Sequence, residues 1–434
     1  GPVQDVRMHR SDTPLFMHNA PGRSVPAMDR LELMPEPEDP RLLTTVDPHA
    51  PGYPGSAYGV TDEEARMLRW PLDPLKEALW PWGAVFFSIG TVALLLSWPF
   101  INSYLTPILP DSEWAYETTG IRELQGEGLY GSGISVCIVD TGIDVSHPDF
   151  SGINLVGFRD FIEEGNQEVR DVGSEFHGTM MAGIIASNGT FVGVAPEASI
   201  SVALALGPEG TSGQQDRVSL AIRWCRITQE ADIISLSLGS DPGQGMGMET
   251  ETVTAVQEAL DAGIFVVAAA GNTGIESADV SVPANIRGVI AVGADRSSGL
   301  TWGDSASGSE TDPYTGQPRT YPDQKPEITA PGVNIFSTAS TSLNPPYAYS
   351  SGTSDSTVFV SGALALLLEK FGEDIAGDNN KIDPEEMDLV KRALANSADR
   401  PDSSEGNHSS TSGYGSLNAV EWANQLSFEL NSDL

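Results

Sequence analysis

The chain has 434 residues, with 60 acidic side chains against 23 basic ones, a formal net charge of −37 and an isoelectric point near 4.2. A negative field of this size argues against nucleic acid as a partner, and the six histidines lack the spacing of a zinc motif. The acidic residues are spread along the whole chain. This pattern predicts a protein from a halophilic archaeon, with an ordinary acidic secreted protein as the alternative.

Two segments precede the first long apolar stretch. Residues 1–27 begin with Gly-Pro and lack the diffuse acidity, so we interpret them as a tag or a misread leader before a natural start at Met28. Residues 28–78 are rich in proline, glycine and acidic side chains and have no helical or strand periodicity. They are predicted to form a disordered cytoplasmic tail.

Residues 79–101 predict a single transmembrane helix, which serves as an uncleaved signal anchor. No charged residue occurs between Glu77 and Asp111, and a helix of about 1.5 Å per residue over this stretch would cross a bilayer. Aromatic residues lie at both ends, as is typical of membrane interfaces. Basic residues precede the stretch closely and return only at Arg122, which predicts a cytoplasmic N-terminus. A buried core helix is the alternative.

Residues 102–118 are predicted to be a linker, and residues 119–434 are predicted to form one α/β domain. Continuous apolar runs are typical of strands buried on both faces of a parallel sheet, and they occur at 134–139, 200–206, 233–238, 264–269 and 289–292. Helical stretches follow at 178–187, 216–230, 251–262 and 358–371, the last ending at Gly372. This alternation predicts a doubly wound, mostly parallel sheet with helices on both faces.

The two cysteines lie in different predicted elements, Cys137 in the first apolar strand and Cys225 in a helix. A disulfide would require the two positions to be close in space, which their spacing does not indicate. We therefore expect two free, buried thiols.

Three glycine-flanked segments place an aspartate, a histidine and a serine after apolar runs: Asp140, His177 and Ser354. This is one of the known chain orders for an activated serine nucleophile. A serine hydroxyl needs a base, which His177 can supply, and a buried Asp140 would orient the imidazole. Asn272, together with the Ser354 amide, is the candidate donor for an oxyanion.

From about residue 119 to residue 423 the chain resembles a subtilisin-type serine protease, a subtilase. The matching segments are VDTGID (139–144), HPDF (147–150), HGTMMAG (177–183), GVAP (193–196), SLSLG (235–239), AAAGN (268–272), VPAN (282–285), ITAPG (328–332), SGTSDST (351–357) and GYGSLNA (413–419). The resemblance implies a catalytic triad of Asp140, His177 and Ser354, and an oxyanion hole formed by Asn272 and Ser354.

The resemblance also implies where a peptide substrate would bind. Residues 206–210 would pair with the extended substrate, and residues 235–239 would wall the pocket for the residue before the scissile bond. The implied substrate-binding set is Leu206, Gly207, Gly210, Ser235, Leu236, Ser237, Leu238, Gly239, Ala269 and Gly271. The predicted protein is a membrane-tethered serine endopeptidase that hydrolyses extracytoplasmic proteins through an acyl-enzyme on Ser354.

One departure from the family pattern keeps an alternative function open. Asp355-Ser356-Thr357-Val358 stands where the family usually has Met-Ala-Ser-Pro, and Asp355 places a carboxylate beside the oxyanion site. The alternative is a catalytically weak or inactive scaffold that binds peptides or a membrane-protein partner.

A second departure concerns calcium. The loop at 187–191 is too short for the usual calcium loop of the family, and only Asp149 matches one of its ligands. The acidic insertion at 303–324 is expected to be a solvated surface loop, with a calcium site as the less favoured alternative. We therefore expect no required cofactor.

Overall fold

The computed structural model describes residues 82–83, 85–98, 112–210, 216–240, 248–377, 381–400 and 407–432. The chain divides into two compact units, residues 1–101 and residues 102–434. The predicted leader at 1–27, the predicted tail at 28–78 and residues 102–111 of the predicted linker lie outside the described residues.

In the first unit, residues 85–98 are helical, and large apolar side chains such as Phe87 and Leu96 are exposed. No helix within the described ranges is both long enough and apolar enough to cross a membrane. The two ends of the predicted span at 79–101 fall outside the described residues.

In the second unit, seven described strands form one parallel sheet in the order β2-β3-β1-β4-β5-β6-β7. The strands are β1 (Ser135–Asp140), β2 (Asn154–Asp160), β3 (Ser199–Leu204), β4 (Ile233–Leu236), β5 (Phe265–Ala269), β6 (Ile290–Asp295) and β7 (Ile328–Pro331). The chain winds outward in both directions from β1, which lies between β3 and β4. The predicted doubly wound, mostly parallel α/β sheet is confirmed, and ligand sites in such sheets lie where the strand order reverses.

Helices pack against this sheet. They are α1 (Glu113–Thr118), α2 (Ile121–Gly126), α3 (His177–Ala186), α4 (Asp216–Ile227), α5 (Met248–Leu260), α6 (Thr353–Ala376), α7 (Pro384–Ser397) and α8 (Ala419–Ser432). The long helix α6 packs against β4, β5, β6 and β7, and α4 packs against β1 and β3. Since α6 is almost wholly buried over its first four turns, it forms the centre of the core.

Several elements differ from the predictions. An antiparallel hairpin of β8 (Val333–Thr338) and β9 (Tyr347–Ser351) was not predicted, and neither was β2. Strand β2 lies at the edge of the sheet and alternates exposed with partly buried positions, so it has no continuous apolar run. The predicted helix end at Gly372 is wrong, because α6 continues to Ala376 and is followed by Gly377. One internal glycine costs a helix only about 1 kcal/mol, which buried packing offsets.

The folded domain begins before the predicted boundary at residue 119. Residues 113–118, predicted as linker, form α1, in which Ala115 and Tyr116 are buried. The centre of the Tyr116 ring lies 5.0 Å from that of the Phe359 ring, and the Arg122 guanidinium lies 4.2 Å from the centre of the Tyr116 ring. Because α1 contributes an aromatic side chain to the core, it is part of the domain rather than a connection to it.

The expectation of free thiols is wrong, because Cys137 of β1 and Cys225 of α4 form a disulfide. The two Cα atoms lie 5.8 Å apart, although 88 residues separate the cysteines in the chain. Helix α4 packs on β1 and brings the two positions together. That contact is a property of the tertiary fold and leaves no signal in the spacing of the cysteines.

Four buried charged side chains, Asp323, Lys325, Glu327 and Lys391, form what we call the lysine cluster. The Lys325 Nζ donates to Glu327 Oε1 at 2.8 Å and to the Val289 carbonyl at 2.6 Å. The Lys391 Nζ donates to the same Glu327 oxygen at 2.9 Å and to Asp323. Burial lowers the pKa of Lys325 to about 8, against the attraction of Glu327.

The insertion at 303–324 is exposed over much of its length, including 313–318, as expected of a surface loop, but parts of it are anchored to the domain. Arg319 is buried and forms a two-pronged ion pair with Asp279, at 2.7 and 2.9 Å. Asp312 is buried as well and accepts from the backbone amides of Tyr314 and Thr315. Arg319 therefore ties the loop to Asp279, and of the acidic side chains of the insertion Asp312 and Asp323 bond within the protein.

Candidate active site

Two glycines let the turn after β1 approach the start of α3. Gly142 has a φ of +116°, and a Cβ there would lie 2.0 Å from the Arg170 carbonyl oxygen. A Cβ on Gly178 would lie 2.1 Å from the Gly142 carbonyl oxygen. Since a side chain at either position would collide with backbone, this approach requires glycine. It brings Asp140, the last residue of β1, next to His177, the first residue of α3.

Asp140 and His177 are joined by a hydrogen bond of 2.7 Å between Asp140 Oδ1 and His177 Nδ1. Asp140 is fully buried, whereas 34% of the His177 side chain is exposed. Burial favours the neutral ring, but the Asp140 carboxylate outweighs it and, with smaller contributions from Asp355 and Asp171, raises the pKa of His177 to about 9. The bond holds the proton on Nδ1 and leaves Nε2 as the basic nitrogen of a neutral ring.

Asp171, which we did not single out from the sequence, braces this arrangement. Its carboxylate accepts from the Thr141 hydroxyl at 2.7 Å and from the backbone amide and hydroxyl of Thr179 at 2.8 and 2.6 Å. The Thr141 hydroxyl in turn accepts from the Gly178 amide at 2.9 Å. The only sequence signals of this arrangement are Thr141 and Thr179, which follow closely after Asp140 and His177. Nothing in the sequence marks Asp171 itself.

Ser354 lies in the first turn of α6, beside the candidate donor Asn272. The Asn272 Oδ1 accepts from the Thr353 amide at 3.0 Å and from the Thr353 hydroxyl at 2.9 Å, which turns Nδ2 the other way. A Cβ on Gly352 would lie 3.2 Å from Asn272 Nδ2 and 3.7 Å from the Ser354 amide nitrogen. The two predicted oxyanion donors therefore flank Gly352, at a helix N-terminus that favours negative charge.

The Ser354 hydroxyl donates to the Ser237 carbonyl oxygen at 3.2 Å, and the Ser237 hydroxyl donates back to the Ser354 carbonyl oxygen at 3.2 Å. The sheet register pairs Ile138 with Ser235, so Ser237 lies beyond β4 at the level of Asp140. Within the described residues no hydrogen bond joins Ser354 to His177. Such bonds often form only when substrate is present.

The first group of predicted substrate residues lies at the carboxyl ends of β3 and β1. The Leu206 side chain is buried, and its amide donates to the Asp140 carbonyl at 3.1 Å. Gly207 follows it, and its carbonyl accepts from the amide of Gly210 at 2.9 Å. The 206–210 segment thus leaves the sheet beside Asp140, and its exposed part begins after Leu206.

The second group divides into buried and accessible residues. Ser235 and Leu236 lie within β4 and are fully buried, so their side chains cannot line an open pocket. The Ser235 hydroxyl instead accepts from Ser361 of α6 at 2.9 Å. Leu238 is half-buried and Gly239 is exposed, so the accessible wall is the end of this segment.

Ser281, another residue that we did not single out, lies close to both Gly239 and Gly271, which belong to two different predicted substrate-binding segments. A Cβ on Gly239 would lie 2.6 Å from Ser281 Cβ, and a Cβ on Gly271 would lie 2.2 Å from Ser281 Oγ. Ala269, at the end of β5, is buried below this point. The Gly271 amide donates to the Thr353 hydroxyl at 3.1 Å, which connects this wall to the turn that carries Ser354.

Asp149, the weak metal candidate, is surrounded by hydroxyl groups. Its Oδ1 accepts from the Tyr347 hydroxyl at 2.9 Å and from the Thr190 hydroxyl at 3.2 Å. In the part of the chain that the structure describes, no group of three or more His, Cys, Asp or Glu side chains is arranged to hold a metal ion. Calcium takes six to eight oxygen ligands, and the donor set around Asp149 does not fit it.

The chain matches the subtilase family (Peptidase S8) over residues 131–415. It is 33% identical over 313 residues to the serine protease AprX of Bacillus subtilis, covering 66% of each chain. It is 37% identical to the major intracellular serine protease (56% of this chain, 71% of that one) and 36% identical to subtilisin E (57% and 58%), both from the same species.

Among solved structures, the prenylagaramide maturation protease PagA has a TM-score of 0.53 and 28% identity, and the match covers 71% of this chain and 98% of that one. The chain spans 58 to 71% of the length of the three curated relatives. The family match covers more than half of the chain, in agreement with the sheet order and with the positions of the matched segments. The chain therefore belongs to the subtilase family of serine endopeptidases.

Proposed function

We propose that this chain is a membrane-tethered serine endopeptidase that hydrolyses peptide bonds of extracytoplasmic proteins through an acyl-enzyme on Ser354. The observation that carries the hydrolytic part is the 2.7 Å hydrogen bond between His177 and buried Asp140. This bond orients His177 Nε2 at the carboxyl-terminal edge of the sheet, where the Ser354 hydroxyl and the two candidate oxyanion donors also lie. Aspartate, histidine and serine groups so placed are suited to acyl transfer.

In this mechanism the Ser354 hydroxyl rotates from the Ser237 carbonyl towards His177. His177 Nε2 takes the hydroxyl proton while Oγ attacks the carbonyl carbon of the scissile bond, and Asp140 stabilises the imidazolium. The oxyanion accepts hydrogen bonds from Asn272 Nδ2 and the Ser354 amide. His177 then gives its proton to the leaving amine, and water, activated by the same base, releases the acyl group from Ser354.

Labelling with a fluorophosphonate tests the nucleophile. We expect the wild-type chain to be labelled and to cleave peptides, and Ser354→Ala to do neither. Labelling that persists in Ser354→Ala would show that another residue is the nucleophile. A wild-type chain that binds peptides but is neither labelled nor active would favour the scaffold alternative. The observation behind that alternative is that, among the residues that the structure describes, the Ser354 hydroxyl donates to the Ser237 carbonyl oxygen and not to His177.

Asn272→Ala separates the oxyanion donor from the nucleophile. We expect this variant to fold and to lose about 10²–10³-fold in kcat, which is the range for loss of such a donor in a subtilisin. KM should change little, because the donor acts mainly on the charge of the transition state. An unchanged kcat would remove Asn272 from the site.

The membrane-tethered part of the proposal rests on the uncharged apolar stretch at 79–101 and on the basic residues before it. The Cys137–Cys225 disulfide supports an extracytoplasmic domain, because disulfides persist in oxidising compartments. We expect the full chain to resist carbonate extraction from membranes, and its protease domain to be digested by protease added outside the cell. Recovery in the soluble fraction would contradict the tether.

We propose that the enzyme needs no cofactor and works in high salt. The charge of −37, spread over the chain, repels itself at low ionic strength, and at 1 M salt the Debye length falls to about 3 Å. We expect activity to be retained in molar KCl and to fall on dilution. Full activity in dilute buffer would instead favour an ordinary acidic enzyme.

A further inference from the structure

Asp355 is a buried carboxyl group directly after the proposed nucleophile. It lies in the first turn of α6 and is only 1% exposed. The Ser350 hydroxyl of β9 donates to its Oδ1. Since Gly352 and Ser354 lie between these two residues, the Ser350–Asp355 hydrogen bond spans the turn that carries the Ser354 hydroxyl.

The second carboxyl oxygen lies near Gly352, the residue that the two oxyanion donors flank. The point at which a Cβ on Gly352 would stand is 3.7 Å from Asp355 Oδ2, 3.2 Å from Asn272 Nδ2 and 3.7 Å from the Ser354 amide nitrogen. A carboxylate at this place would repel an oxyanion held by those donors, whereas a neutral carboxyl group would not.

Burial outweighs the neighbouring groups that favour the ionised form of Asp355. His177 faces it from α3, Tyr116 faces it from α1, and β9 supplies the neutral Ser350 hydroxyl. Burial raises the pKa of Asp355 to about 7, although the Ser350 hydrogen bond and His177 both favour the charged form. The Asp355 charge, in turn, helps to hold a proton on His177.

We propose that Asp355 is a positioning residue that must hold a proton while the enzyme works. The Asp355 carboxyl group keeps Ser350 and the turn before Ser354 in place in either protonation state, but the ionised carboxylate also opposes the oxyanion and favours protonated His177. Ionisation releases the Asp355 proton to solvent and gives a form of the site that does not hydrolyse. This inference rests on the proposed endopeptidase function and adds a pH-dependent control to the same site.

The two groups predict a bell-shaped pH profile. At low pH both hold protons, and His177 cannot act as a base. Loss of one proton gives two forms of the site: the more populated one has Asp355 ionised and His177 protonated, and the minor, active one has Asp355 protonated and His177 neutral. Loss of the second proton removes the active form and leaves a carboxylate beside the oxyanion donors. Burial raises the pKa of Asp355 to about 7, and Asp140 overcomes burial to raise the pKa of His177 to about 9. Activity should therefore rise near pH 7 and fall above pH 9.

The test is the pH profile of kcat/KM for the wild type and Asp355→Asn, measured in 1 M KCl so that exposed charges are screened. We expect the wild type to retain about a tenth of its maximal rate at pH 10, one unit above the upper midpoint, and Asp355→Asn to retain most of its own maximum. Asp374→Asn removes an exposed acid from the same helix and should leave the profile unchanged.

Ser350→Ala is a second test that does not depend on the folding of Asp355→Asn. Removing the hydroxyl takes away a bond that favours the ionised form, so Asp355 should hold its proton to higher pH. The rise near pH 7 should then move to higher pH and the maximal rate should increase, whereas a merely structural bond predicts lower activity with an unmoved rise. An alkaline fall that is the same in all variants would overturn the proposal. Fluorophosphonate labelling lost in Ser354→Ala, in the same preparations, shows separately whether the proposed function holds.

Discussion

The lysine cluster and the candidate active site both bury charged groups, but they differ in how completely those charges are paired. In the lysine cluster two lysines meet two carboxylates, and each charge has an opposite partner within hydrogen-bond distance. In the candidate active site three acidic groups, Asp140, Asp171 and Asp355, act on a single imidazole, His177. The first region is electrically balanced, and the second has an excess of negative charge.

This difference indicates what each region does for the protein. A balanced buried cluster is stable only when complete, because removing one partner leaves an uncompensated charge in a low-dielectric interior. An unbalanced site instead raises the proton affinity of the one base that it surrounds. Substitutions in the lysine cluster should therefore act on stability, and substitutions in the candidate active site should act on hydrolysis and its pH dependence.

The largest expected effect is on hydrolysis, from Asp140→Asn. The amide keeps the shape of the carboxylate but favours the wrong histidine tautomer, so kcat should fall by about 10⁴-fold. The kinetic measurement is paired with thermal unfolding of the same sample, which should show a far smaller change. A loss below tenfold would mean that the Asp140–His177 hydrogen bond does not serve catalysis.

In the lysine cluster we expect the opposite result, a large effect on stability and little effect on hydrolysis, and Lys391→Met tests this. The substitution leaves Asp323 and Glu327 without one of their cations and should lower the free energy of unfolding by about 3–5 kcal/mol, with kcat of the folded enzyme unchanged. Lys370→Met is the matched control, since its pair with Glu127 is exposed (36% and 46%) and contributes at most about 1 kcal/mol. Equal losses from the two variants, measured by urea unfolding, would abolish the distinction.

The sequence predicted those parts of the structure that local patterns determine. The apolar run at 134–139 placed Asp140 at the end of a buried parallel strand, and the order of the five runs predicted the doubly wound sheet. The exposure of β2 alternates as expected at a sheet edge, so no run marked it. Local hydrophobicity thus predicts buried strands well and edge strands poorly.

Contacts between distant segments were not predictable in the same way. Three features join residues that come together only after the sheet is assembled. They are the Cys137–Cys225 disulfide, the approach of Ser281 to Gly239 and Gly271, and the hydrogen bonds from Thr141 and Thr179 to Asp171. Ser235 and Leu236 show the limit of a motif in the other direction. The family motif marked the segment, but their place within β4 buries both side chains.

A third prediction concerns stability at the active site and the charge of Asp355. The unfolded chain loses this proton near pH 4, but burial raises the pKa of Asp355 to about 7 in the folded protein. Between these values the folded state holds the extra proton, so the contribution of Asp355 to stability decreases as pH rises and is at its worst above pH 7. Asp355→Asn should match the wild type near pH 4 and exceed it by up to about 4 kcal/mol at pH 8.

Unfolding by urea at the two pH values checks this directly, and the difference between variant and wild type isolates one group. A variant that is less stable at pH 8 than at pH 4, relative to the wild type, would show that Asp355 is ionised and well paired in the folded state. The lysine cluster provides the contrast, because Lys391→Met should destabilise the protein at both pH values.

The smallest expected effect extends the comparison to Asp149, a buried carboxylate whose side-chain partners are neutral hydroxyls. Tyr347→Phe removes the 2.9 Å bond to Oδ1 and leaves the 3.2 Å bond from Thr190, so it should lower the free energy of unfolding by about 1–2 kcal/mol. Tyr314→Phe is the control for loss of a hydroxyl bound to a neutral acceptor, Asn285, and should cost less.

The same variant distinguishes hydroxyl groups from calcium as the partners of Asp149. The Tyr347 and Thr190 hydroxyls both donate to Oδ1 of this carboxylate, and the demand of calcium for six to eight oxygen ligands is not met by the surrounding donors. We therefore expect the thermal unfolding midpoint of the wild type to be the same in EGTA and in added calcium, and Tyr347→Phe to be shifted equally in both. If EGTA lowers the unfolding midpoint of the wild type, and lowers that of Tyr347→Phe by less, then Tyr347 is part of a calcium site.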